Sequence, residues 1–153
     1  PRNSCVMFFA NLDSHEGIEF PCLSLVLELQ RGILEPGQLV GTKGKIHEGY
    51  LEAALARPLN AYHYGGQYDL IVLASYLWHG IAEAHAFNDG NKRTATVVMA
   101  VFLEMNGVTF HESVPEHEIG QFVENLYQEG CFERERLELY LRTRCCWIED
   151  DAS

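Results

Sequence analysis

Between Asp69 and Gly107 the chain carries two long apolar segments separated by a short polar break, His85-Ala-Phe-Asn-Asp-Gly90. Asp69 is a good helix N-cap, and the apolar stretch behind it runs to about Ala84. The break leads into a second stretch, Asn91–Met105, which Asn106-Gly107 should terminate, because Gly accepts the left-handed backbone of a helix end. Helical spacing recurs elsewhere. Pro21 fits a helix start, with Leu23, Val26, Leu27, Leu29 and Leu34 behind it. Glycines at 32, 37, 41, 44 and 49 punctuate a loop. A helix from about Glu48 should stop at Arg57, before Pro58 removes an amide. Asn60–Tyr68 reads as a hairpin or loop around Gly65-Gly66. Amphipathic helices over roughly 115–129 and 132–144 complete the chain. Strand signals are nearly absent, so the expected class is all-α with one small hairpin.

The length, 153 residues, suits one domain. It is expected over residues 21–146, with an N-terminal extension at 1–20 and an acidic tail at 147–153. Eleven Lys and Arg against 22 Asp and Glu leave a net charge of −11. A nucleic-acid partner is disfavoured, since duplex binding needs a basic face. An anionic membrane surface is disfavoured for the same reason, and no apolar run approaches the roughly 18 residues of a membrane span. The five cysteines are odd in number and form no C-x-x-C, so neither a zinc site nor a disulfide framework is indicated. A reducing cytoplasm is the simplest expected home.

The break itself carries the chemistry. A helix beginning at Asn91 aims unpaired amides and a positive dipole end outward, an arrangement that binds phosphate. Gly90 allows close backbone approach, Asn91 offers an amide, and Lys92 and Arg93 add two positive charges to an acidic chain. Asp89 is an oxygen ligand suited to Mg²⁺, which takes one or two carboxylates plus phosphate oxygens. His85 could serve as general base. A plainer reading makes Asn-Asp-Gly a turn and Lys-Arg a solvated first turn. Against it, basic residues at a helix start oppose the dipole at roughly 0.3–1 kcal/mol apiece, which a bound anion would offset.

His85-Ala-Phe-Asn-Asp-Gly-Asn-Lys-Arg93 closely resembles the H-x-F-x-[DE]-G-N-x-R signature of Fic-domain proteins. Lys92, together with Gly49-Tyr-Leu-Glu-Ala-Ala-Leu-Ala-Arg-Pro58 upstream, looks like the death-on-curing (Doc) branch. The resemblance covers about residues 20–130. It implies a helical bundle in which the motif loop joins two central helices, with a hairpin-like flap that docks the target protein. It implies that His85 deprotonates a target hydroxyl, Phe87 anchors the loop and Asp89 holds Mg²⁺. Gly90 and Asn91 would build an anion nest, and Arg93 would contact phosphate. Fic proteins with Gly after the Asn usually transfer AMP from ATP. Lys92 there implies ATP bound in reverse, with its γ-phosphate transferred to a Ser or Thr of a protein, elongation factor Tu being the family's example. Thr96, where the adenylylating pattern often has a second Arg, weakens AMP transfer further. No inhibitory [ST]-x-x-x-E-[GN] is found at Glu16, Glu48, Glu124 or Glu129, so a separate antitoxin is the expected partner.

Tyr62, Tyr64 and Tyr68 match the flap in order along the chain, although packing over the core explains them equally well. His79 and Glu83 share a helix face, and a surface or core pair explains them better than a role beside His85. The Glu-rich stretch 112–138 reads as solvated surface. Two other functions compete with the toxin reading. One is a catalytically silent Fic fold that binds a partner, which intact His85, Asp89, Asn91 and Arg93 argue against. The other is a metal hydrolase built on His79, His85 and Asp89, which no metal-binding spacing supports.

Overall fold

A computed structural model describes residues 17–33 and 46–149. Among them are six helices: α1 (Leu23–Ile33), α2 (Glu48–His63), α3 (Leu70–Ala84), α4 (Asn91–Met105), α5 (Glu116–Gln128) and α6 (Arg134–Arg142). Two three-residue strands, β1 (Val108–Phe110) and β2 (Cys145–Trp147), complete the set. The all-α expectation holds.

The centre is α3. Leu70, Ile71, Leu73, Ala74, Leu77, Trp78 and Ile81 are all inaccessible to solvent. Residues on every side of one helix can be buried only if other helices surround it, and α2, α4 and α6 pack against this one. Asp69 caps it as expected, its carboxylate accepting from the Ile71 amide at 2.9 Å. The same carboxylate takes an Arg142 guanidinium N–H at 3.0 Å. Glu138 links Arg142 at 2.9 Å to Arg134 at 2.8 Å. Arg134 in turn donates to Ser75 at 2.6 Å. This partly buried chain of charges holds α6 against the first half of α3.

Three sequence expectations need correction. Pro58 does not stop α2, which runs on to His63 with Pro58 buried inside it. Leu51, Ala54 and Pro58 form one buried stripe facing the core, and that packing outweighs the hydrogen bond that Pro cannot make. Residues 60–68 are therefore the last helical turn and a tight turn around Tyr64 and Gly65, with no hairpin. The small antiparallel element lies elsewhere: β1 pairs with β2, Val108 opposite Trp147 and Phe110 opposite Cys145. The chain end thereby docks on the end of α4, with the Ile148 amide donating to the Gly107 carbonyl at 2.8 Å. Cysteine usage is the third. Cys22, Cys131 and Cys145 are free thiols, but Cys146 is disulfide-bonded, which the cysteine count did not suggest.

The ends of the domain are also drawn in. Ile18 is buried, and Phe20 packs on Tyr62 and Phe102 with ring centres 5.5 Å apart. No helix among the described residues is long and apolar enough to cross a membrane.

Candidate active site

The turn between α3 and α4 is built from backbone outward. α3 ends at His85, whose φ of 51° and ψ of 41° make it the only non-Gly residue with positive φ among those described. That conformation ordinarily belongs to Gly, and holding a side chain there strains the backbone. Ala86 and Phe87 then turn into the core. The Ala86 carbonyl accepts from the His47 amide at 2.8 Å, which ties the start of α2 to the turn. Gly90, at φ 78°, closes the turn and heads α4.

Asn91 locks this geometry. Its Oδ1 accepts from the Phe87 amide at 3.1 Å, and its Nδ2 donates to the Phe87 carbonyl at 2.8 Å. The side chain expected in the anion nest is thus spent on the loop's own backbone, and only its main-chain amide remains for a ligand. The Phe87 side chain is buried in the core.

Gly90 has no side chain with which to cap α4. The first helical bond runs from the Thr94 amide to the Gly90 carbonyl at 2.8 Å. The amides of Asn91, Lys92 and Arg93 are left without an acceptor among the described residues, as the first turn of an uncapped helix must leave them. No acidic residue lies in that turn. Arg93 is exposed and has no carboxylate partner among the described residues. Lys92 reaches across to α5, where its ammonium lies 3.1 Å from Glu124 Oε2 and 4.5 Å from the centre of the Tyr127 ring.

Between the turn and α5 lies a cleft of about 440 Å³. Asp89, Gly90, Lys92 and Arg93 line one side, and Ile119, Val123 and Glu124 line the other. His85 stands outside these walls, exposed, at the opposite end of the turn. Asp89 Oδ1 accepts from the Gly90 amide at 2.8 Å. Its other oxygen has no partner among the described residues, where no three His, Cys, Asp or Glu side chains converge as metal ligands. A single open carboxylate beside an uncapped helix start fits Mg²⁺, which takes one or two carboxylates and completes its shell with phosphate oxygens and water.

The tyrosines of the expected flap do not reach this site. Tyr64 and Tyr68 precede α3 and His85 follows it, so the helix's 15 residues set them about 22 Å apart at 1.5 Å per residue. Tyr62 packs in the last turn of α2, and Tyr64 is 87% exposed. The aromatic surface at the His85 end is instead the stacked His47–Tyr50 pair, 5.0 Å between ring centres. His79 and Glu83 do not bond each other. His79 stacks on Phe132, and Glu83 accepts from the Tyr127 hydroxyl at 2.9 Å.

A model of the Fic/DOC family matches residues 20–103. That is more than half of the chain, and it includes the whole turn. The chain belongs to the Fic/DOC family. A search of curated proteins finds no relative. The match ends within α4, so the α5 wall of the cleft comes from outside the matched region. The sequence reading missed that wall. Its signal was present in the apolar spacing of Ile119, Val123 and Leu126, but nothing in a lone amphipathic helix says which neighbour it covers.

Proposed function

We propose that the protein is a Doc-type transferase that moves the γ-phosphate of ATP to a Ser or Thr hydroxyl of a protein. The carrying observation is the uncapped start of α4. Three unpartnered amides and an Arg93 without a carboxylate partner among the described residues head a helix whose first turn borders the cleft, and the turn before it carries His85. In this reading the amides and Arg93 hold the terminal phosphates, because a helix start stabilises negative charge there. Asp89 would hold Mg²⁺, which neutralises phosphate oxygens when bound. His85 takes the proton of the target hydroxyl. The freed oxygen forms a bond to the γ-phosphorus, the bond from that phosphorus to the β–γ bridging oxygen breaks, and ADP leaves. Such transfer depends on positioning and charge, so which way ATP lies decides which bond is in line.

Thr96 supports this orientation over AMP transfer. It supplies no cation, and its hydroxyl donates to the Lys92 carbonyl at 3.0 Å while accepting from the Trp78 indole at 3.1 Å. Elongation factor Tu is the proposed target, and an antitoxin covering the cleft the proposed restraint. The test uses ATP labelled separately on the α- and γ-phosphates, with a bacterial lysate as the source of target. Transfer of the γ label alone, adding about 80 Da to the target, is expected. A product heavier by about 329 Da carries AMP and overturns phosphotransfer.

A further inference from the structure

Four side chains from three helices form a connected chain beside the cleft. On α3, two residues before His85, Glu83 accepts from the Tyr127 hydroxyl at 2.9 Å. Tyr127, on α5, lays its ring 4.5 Å from the Lys92 ammonium. Glu124, one turn earlier on α5, takes that ammonium at 3.1 Å. Burial, aided by the Glu83 carboxylate, pushes the Tyr127 hydroxyl well above the usual tyrosine range. The two cations of the motif are therefore unequal. Arg93 is open to a ligand, whereas Lys92 is held on the α5 wall with its charge partly cancelled.

We infer that Glu124 and Tyr127 are specificity-determining positioning residues, which set the orientation of the nucleotide by restraining Lys92. The inference rests on the proposed nucleotide transfer. A phosphate chain beside two cationic poles places its most charged end at the stronger one. With Lys92 bound to Glu124, the stronger pole is Arg93 and the amides of α4. Removing the Glu124 charge releases Lys92 to compete, and the preference between the two orientations falls. Tyr127 acts through the same ammonium: its ring face attracts the cation, and its bond to Glu83 keeps the ring in place.

The test is a double-mutant cycle on the full chain with E124Q, K92M and E124Q/K92M, read by calorimetric ATP binding in Mg²⁺ and by the ratio of γ to α label transferred. E124Q alone is expected to tighten ATP binding by about fivefold, the scale of one charge pair at a partly exposed site, and to lower the γ-to-α ratio. In the K92M background the same change should leave that ratio unmoved and lose most of its effect on affinity, since Glu124 then has no ammonium to restrain. Y127F should lower the ratio less than E124Q, because it keeps the ring and loses only the Glu83 bond. A merely structural role would move rates and not this ratio. Equal effects of E124Q with and without Lys92 overturn the inference. A wild-type protein that transfers AMP, with the coupling to Lys92 intact, overturns the phosphotransfer reading and leaves the inference standing.

Discussion

His85 and Asn91 show how one residue shapes the site. His85 closes α3 at a position where helices usually place Gly, and holding an imidazole there costs of order 1–3 kcal/mol in backbone strain. H85G should therefore keep the protein's stability, or raise it by up to about 1 kcal/mol, since relieved strain is partly offset by the entropy of Gly in the unfolded chain. Chemical denaturation measures this, and transfer should be lost in the same variant. N91A should behave differently. It leaves the amide and carbonyl of Phe87 unpaired beside the core, at about 1–3 kcal/mol, and its activity should fall because the turn loosens. The polar turn between the two apolar helices was legible from spacing and punctuation. Asn91's part was not, because an amide reads the same whether it faces a ligand or the chain's own backbone. Only the closed turn decides between them.

The helices near the motif were legible at the scale of elements. Apolar periodicity with punctuation by Asp69, Asn106 and Gly107 locates α3 and α4, since local caps and burial agree there. Pro58 misled because its local penalty competes with packing of the whole α2 stripe. The tyrosines misled because order along a chain says nothing about which end of a buried helix they reach. α5 has its own acid-sensitive tie. Glu118 accepts from the Tyr140 hydroxyl at 2.5 Å and from Arg144 at 2.7 Å. The Tyr140 hydroxyl first, then Arg144, holds its carboxyl below the usual range. A folded-state pKa below the unfolded value means this stability is present above about pH 4.3, the ordinary value for Glu, and is lost as pH falls through the folded pKa. E118Q should thus lower stability at neutral pH by about 1 kcal/mol or less, given solvent screening. The gap to wild type should close on acidification, as thermal melts across pH 2–7 would show.

The whole molecule depends on contacts remote in sequence, and these were the least legible. Arg142 was unremarkable as a single letter and Asp69 read only as a helix cap, and only the packing of α6 on α3 joins them as a largely buried pair. Cutting Arg142 back to Ala leaves the Asp69 carboxylate without this guanidinium, so R142A should cost about 3 kcal/mol in denaturation. The β1–β2 pair was equally hidden, because three-residue strands have too little pattern to announce themselves. The proposed function also depends on the whole fold: in it α3 would present the base, α4 would bind the phosphates, and the turn between them would fix the two in register. Its most direct test is ATP affinity and transfer rate measured on the same H85A protein in Mg²⁺. Because His85 lies outside the cleft walls, ATP binding is expected unchanged within about twofold and transfer lowered by at least about a hundredfold, the usual scale of general-base loss. H85A that transfers phosphate at the wild-type rate, or that loses ATP binding and transfer together, would contradict it.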